Sequence, residues 1–207
     1  MKKRTGVLIH SRHLQALNWE RIMWGVPPDL MGQLSKGVLT ALEEEAEIVV
    51  LGCGLRSGIN GEMESEFNRQ YLLDNLRRLP EFAGFQGINL GRAEEIIRQI
   101  LVLDMSSLST IQEVAFAGKA FENAGMERVI SVSSRTHAPR CLNEALRFYG
   151  RPGSKISVGN VLVYSSDVGW ASNDDVVVFE PPHRPDDSFG DIRHELAKNI
   201  LRDFPYR

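Results

Sequence analysis

The spacing of apolar positions divides the chain into two alternating kinds of segment. Short uninterrupted apolar runs at Thr5-Gly-Val-Leu-Ile-His10, Glu47-Ile-Val-Val-Leu-Gly52, Ile100–Asp104 and Arg128–Ser133 have the length and β-branched content of strands buried on both faces. Between them apolar residues return at helical intervals, as in Leu30, Leu34, Val38, Leu39 and Leu42, and again in Phe67, Tyr71, Leu72 and Leu76. The pattern predicts helices over Leu30–Glu45, Glu62–Arg78, Arg92–Arg98, Thr110–Asn123, Ala138–Tyr149 and Asp191–Arg202, with Gly125 stopping the fourth. A β-rich stretch at Lys155–Ser166, interrupted by Gly159-Asn160, and a strand at Asp175–Glu180 complete the series. Residues 10–29 read as a long polar and aromatic connection, with Pro27-Pro28 a restart signal and Asp29 a cap for the next helix. Pro80–Gly91 reads as an irregular surface loop. Strand–helix alternation from end to end predicts an α/β fold: a three-layer sandwich with a mostly parallel sheet, spanning 1–207 as a single domain.

In such a sheet, ligands bind outside the carboxyl ends of the strands. Two strands end in clusters of small hydroxyl residues that open into helices. The first is Asp104-Met-Ser-Ser107-Leu-Ser-Thr110-Ile-Gln-Glu113. A capping box accounts for Ser109, Thr110 and Glu113, but not for Asp104 at the strand end or for Ser106-Ser107. The second is Ser133-Ser-Arg-Thr-His137-Ala-Pro-Arg140. There His137 and Arg140, three apart at a helix start, share an edge. Histidine shuttles protons near neutrality, and arginine offers a fork for carboxylate or phosphate. Gly52-Cys53-Gly54 follows a third strand, where glycines let backbone N–H groups approach an anion. His10-Ser-Arg-His13 and Pro182-His183-Arg184 follow strands too.

Other chemistries find less support. There is no HExxH and no clustered Cys/His spacing, so no metal is expected, and no Gly-x-Ser-x-Gly elbow for a serine hydrolase. Cys53 beside a helix start has the setting of a nucleophile, but also that of a buried structural thiol.

Composition narrows the partners. Across 207 residues, 43% are hydrophobic and 25% charged, as in ordinary globular proteins. A formal net charge of -3 offers no basic excess to neutralise phosphates, so nucleic acid is not expected. Two cysteines, Cys53 and Cys141, fit a reducing compartment. The apolar run after Met1-Lys-Lys-Arg4 is too short for a secretory signal, and no window reaches the ~18 apolar residues of a membrane span. The expectation is a soluble, cytoplasmic protein.

Ile48-Val-Val-Leu-Gly-Cys-Gly54, Ser107-Leu-Ser-Thr110-Ile-Gln-Glu113 and Val132-Ser-Ser-Arg-Thr-His137-Ala-Pro-Arg140 resemble, in order and approximate spacing, motifs of the ElyC/SanA/YdcF family over roughly residues 46–150. Ser109 and Val114 stand where that family usually has asparagines, and its middle Ser-Gly-Gly strand has no clear counterpart. The resemblance implies a Rossmann-like domain that takes a nucleotide-like or phosphorylated ligand, in a family whose best-known members serve bacterial cell-envelope biogenesis. It implies site roles for Gly52, Gly54, Ser107, Thr110, Glu113, His137 and Arg140. Residues and resemblance together lead to an enzyme acting on a small anionic metabolite. In this reading His137, Glu113 and Asp104 do acid–base work, while Gly52, Gly54, Ser107, Thr110 and Arg140 bind the ligand. The alternatives are a non-catalytic binding module with the same pocket and a cell-envelope accessory protein. The cofactor is unknown, and oligomeric state is open.

Overall fold

The buried run Thr5–Ile9 forms β1, the middle strand of a five-stranded sheet in the computed structural model, which describes residues 2–16 and 18–168. The expected strand at Asp175–Glu180, the helix at Asp191–Arg202 and Pro182-His183-Arg184 lie outside the described residues. After β1 come α1 (Trp19–Met23), β2 (Gly25–Val26), β3 (Leu30–Met31), α2 (Gln33–Glu43), β4 (Ile48–Leu51) and α3 (Glu64–Asn75). Two 3-10 turns, Leu76–Glu81 and Ala83–Phe85, lead to α4 (Leu90–Ile100) and β5 (Leu101–Leu103). Then follow α5 (Thr110–Asn123), β6 (Arg128–Ser133), α6 (Ala138–Tyr149) and, after a 3-10 turn at Val158–Asn160, β7 (Val161–Ser165).

The sheet order is β5-β4-β1-β6-β7, with every neighbouring pair parallel. Helices cover both faces, giving the Rossmann-like α/β sandwich. The period-2 alternation of strands divides the core. Val7, Ile9, Val49, Leu51, Ile130 and Val132 pack with residues of α1, α2 and α3 on one side. Leu8, Val50, Val129 and Val161 face Val114, Ala117 and Phe121 of α5 and Ala145 and Tyr149 of α6 on the other. From β1 the chain builds outward through β4 to β5, then crosses back to β6 and β7 on the opposite flank. The order therefore reverses between β1 and β6, which leaves a crevice outside their carboxyl ends.

Several local expectations change. Residues 10–29 hold α1 and one strand of a two-stranded antiparallel hairpin, β2 and β3. Asp29 lies in the hairpin turn and caps nothing; α2 begins after Gly32, without a side-chain cap. The segment after Pro80 is no loose loop, because Phe82 and Phe85 are fully buried. Burying each stabilises the segment by roughly 2 kcal/mol. α4 starts two residues earlier than expected, at Leu90, because the Asn89 side chain accepts from Arg92 N at 3.1 Å. Gly125, at φ +71°, ends α5 as its position implies. Among the described residues no helix is long and apolar enough to cross a membrane.

Candidate functional site at the β1–β6 crevice

His10, the residue after β1, is wholly buried, and its Nδ1 donates to Glu113 Oε2 at 2.9 Å. Glu113 sits in the first turn of α5 but does not close a capping box. Its other oxygen, Oε1, accepts from Ser11 N at 3.3 Å. The reach-back bond of that helix comes from Gln112, whose Oε1 accepts from Leu108 N at 2.7 Å. Glu113 is thereby turned from its own helix end towards the end of β1. Burial alone would push its carboxyl up, but the His10 charge and hydrogen bond, His137 and the Ser11 amide outweigh that and hold it below the ordinary carboxylate range.

His137 comes from the other side of the crevice, one residue before α6. Its Nε2 lies 3.1 Å from Thr110 Oγ1 and its Nδ1 lies 3.1 Å from Ser133 Oγ. Ser133 Oγ donates its one proton to Gln33 Oε1 at 3.3 Å. It must then accept from His137 Nδ1–H, which leaves Nε2 as the acceptor facing Thr110; this tautomer is assigned from the bond network. The rings of His10 and His137 meet edge to face, with centroids 5.8 Å apart. Unlike His10, His137 is only partly covered.

Gln33, the first residue of α2 and fully buried, ties the two strand ends together. Its Nε2 donates to His10 O at 3.4 Å, and its Oε1 accepts from Ser134 N at 2.6 Å as well as from Ser133. Sequence reasoning passed over Gln33, because a glutamine just ahead of an apolar helical stripe looks like an exposed position.

It also passed over Cys141. Cys141 lies one turn beyond His137 on α6 and is fully buried. Burial would push its thiol up, but His10 and His137 outweigh burial and bring it below the usual thiol range. Burial would lower His10 in turn, but the Cys141 sulfur and the Glu113 carboxylate raise it above the ordinary histidine value.

The glycine turn closes on the protein itself. Gly52 N donates to Ile9 O at 3.1 Å and Gly54 N to Ser107 O at 2.7 Å, so both amides are engaged. A Cβ on Gly52 would strike the Glu113 carboxylate, and one on Gly54 the backbone of Met105 and Ser106. These glycines admit close neighbours. Cys53 Sγ donates to Ser107 O at 3.0 Å, and burial, with Glu113 and Glu64 nearby, raises its thiol pKa. Asp104 is fully buried after β5; its Oδ1 accepts from Ser106 N and Ser107 N at 3.0 Å each and from Ser106 Oγ at 3.2 Å. That is an Asx turn shaping the β5–α5 loop. Asp104 Oδ2 has no hydrogen-bond partner among the described residues.

The structure thus brings His137, Thr110, Glu113 and Gly52 to one crevice, with His10, Gln33, Ser133 and Cys141. Asp104, Ser107 and Gly54 lie together in the adjoining loop pair, and Arg140 is exposed on the first turn of α6. Among the described residues, no group of three or more His, Cys, Asp and Glu side chains is arranged to hold a metal ion. Comparison of the chain with models of known families, with curated proteins and with solved structures finds no match. The fold and its crevice define the class as a Rossmann-like α/β protein.

Proposed function

We propose that the β1–β6 crevice is the active site of an enzyme of the ElyC/SanA/YdcF type, acting on a small anionic, phosphorylated or nucleotide-like metabolite by acid–base chemistry. The observation that carries the reading is the setting of His137. Its Nε2 points its lone pair at the Thr110 hydroxyl, in the crevice where open α/β sheets take their ligands. A ligand hydroxyl or water replacing that contact meets a base already oriented through Nδ1, Ser133 and Gln33. Arg140, exposed one turn into α6, supplies the cation for the ligand's negative group. Glu113 acts on the partner histidine, His10, and Gly52 leaves room for its carboxylate. Asp104 and Ser107 shape the neighbouring loop. A formal net charge of -3 favours a small ligand over nucleic acid, and two free cysteines suit a reducing cytoplasm.

The test is a thermal-shift screen with inorganic phosphate, nucleoside mono- and triphosphates and sugar phosphates. A native-state ligand at 100 times its Kd contributes about 2.7 kcal/mol and raises the melting temperature. His137→Ala should abolish turnover of a stabilising compound, by roughly 10²-fold or more, and Arg140→Ala should weaken its binding. Stabilisation without turnover would replace the enzyme with a binding module. A ligand response that survives both substitutions would remove the crevice from the reading.

A further inference from the structure

Residues of α2, α4 and the 3-10 turn Leu76–Glu81 line a cleft of about 430 Å³, to which no residue of the crevice contributes. On α4 the residues Leu90, Ala93 and Ile97 recur at helical spacing and form one wall. Val38 of α2 and Leu76 and Leu79 of the turn supply the other apolar surface, while Arg77 and Glu94 are its charged residues. Small-molecule sites have this size and this make-up, mostly apolar with a few polar groups that orient the ligand.

Packing does not require the cleft to stand open. Protein interiors fill to crystal density, yet Gly91 belongs to the lining, and a Cβ there would meet nothing closer than Asn89 Oδ1 at 3.6 Å. Glycine is the poorest helix former after proline, so this position gives up helix stability and leaves space unfilled. The charges at the cleft are unequal in their company. Arg98 Nε and Nη2 donate to Glu94 Oε1 at 3.0 and 2.7 Å, so Glu94 is neutralised within α4. Arg77 is exposed and has neither an ion pair nor a hydrogen bond among the described residues.

We propose that this cleft is a binding site for a medium-chain aliphatic carboxylate, its chain against Leu76, Leu90 and Ile97 and its head group accepting hydrogen bonds from Arg77. An apolar hollow with one uncompensated guanidinium matches an apolar chain that ends in a carboxylate, since arginine presents a fork of donors to that group. A protein partner fits less well. Among the described residues, no large apolar side chain of α2, α4 or the turn is exposed, so the apolar surface here is recessed rather than raised for docking. The site stands apart from the crevice and needs none of its chemistry; no bond is made or broken in it.

Isothermal titration calorimetry of the full chain with hexanoate, octanoate and decanoate tests this. Affinity should rise roughly twofold to fourfold with each methylene. Octanoate should bind tighter than octan-1-ol by roughly fivefold. Arg77→Ala, a change at an exposed position, should remove that preference and leave octan-1-ol unchanged. Gly91→Phe, which sets a ring in the lining, should weaken both by at least about tenfold. His137→Ala and Arg140→Ala should change neither. Should Gly91→Phe fail to fold, the Arg77→Ala comparison decides alone. No affinity for any of the acids overturns the proposal, as does an affinity that does not grow with chain length or an acid preference that survives Arg77→Ala. Binding lost in His137→Ala or Arg140→Ala would overturn the cleft and give the carboxylate to the crevice, in support of the anionic ligand proposed there. A chain that is dimeric in sedimentation equilibrium and monomeric as Gly91→Phe would give the cleft to a second copy and overturn the carboxylate.

Discussion

At the scale of single residues, Glu113 is the most constrained side chain of the crevice. It is almost wholly buried, shares its two oxygens between His10 Nδ1 and Ser11 N, and fills the space that Gly52 leaves by lacking a Cβ. Removing one partner of a buried ion pair strands the other charge, at a cost of roughly 3–5 kcal/mol. Glu113→Ala should therefore lower the melting temperature by roughly 10 °C, and Glu113→Gln, which keeps an oxygen for His10, should cost clearly less. Differential scanning calorimetry on the two variants checks the order; equal losses would mean that the lost charge carries the whole effect and the retained oxygen contributes nothing. His137, Thr110 and Glu113 were readable in the sequence because polar residues directly after a strand and at a helix start are hard to explain by packing. Their pairing was not readable. Glu113 looked like the closing half of a capping box, and only the fold shows it turned to His10, 103 residues earlier in the chain. Cys141 was invisible for a different reason: four residues into an amphipathic helix, a cysteine is indistinguishable from any small apolar filler.

At the scale of elements, the crevice depends on how closely α5 and α6 lie, since α5 carries Thr110 and Glu113 while α6 follows His137 and carries Cys141. Gly118 sets that approach. A Cβ there would run into the Phe148 ring of α6. Gly118→Ala would ordinarily strengthen a helix by up to about 1 kcal/mol, but overpacking a tight contact costs roughly 1–3 kcal/mol, and the second term should win. Urea denaturation should show a lower midpoint with an unchanged slope, and any ligand response of His137 should weaken with it because Thr110 and His137 are moved apart. A gain in stability would show that Phe148 swings away freely. The elements that sequence patterning found, β1, β4, β6, α5 and α6, each carry enough periodic positions to define a face. Those it missed are short. A five-residue α1 and strands of two residues in β2 and β3 have no period to detect, and they are held instead by Trp19 and Trp24 packed among Tyr71 and its neighbours. The turn at Ala83–Phe85 was masked by its glycines and is ordered by two buried phenylalanines.

For the whole molecule, strand–helix alternation sufficed to reach a parallel α/β sandwich, but strand order is set by long-range crossovers that leave no local trace. That order is what places His10 beside His137 and buries Glu113, His10 and Cys141 in the interior, and shifted titrations of such groups must register in global stability through proton linkage. Between the lowered Cys141 value of about 5 and the ordinary histidine value of 6.5 the unfolded chain carries a protonated imidazole and a thiol, whereas the two shifts favour imidazolium and thiolate in the folded pair. Folding then releases a proton, so stability rises with pH. Between 6.5 and the ordinary thiol value of 9.0 the unfolded pair has lost the imidazole proton and both states hold one, so this pair's contribution is flat. Above 9.0 the unfolded pair holds none while folded His10, its pKa raised, still keeps its proton, and stability falls as pH climbs further. Glu113, held below its ordinary value of 4.5, adds loss on the acid side as pH drops through its lowered value. In Cys141→Ala the imidazole loses the largest of the groups that raise it and keeps Glu113 against burial, so whatever raised-imidazole contribution is left begins to fade once pH passes 6.5 rather than 9.0. Urea midpoints measured from pH 5 to 10 should thus show the alkaline decline of the variant starting about 2.5 units earlier than that of the unaltered protein. Superimposable profiles would mean that Cys141 stays a neutral thiol.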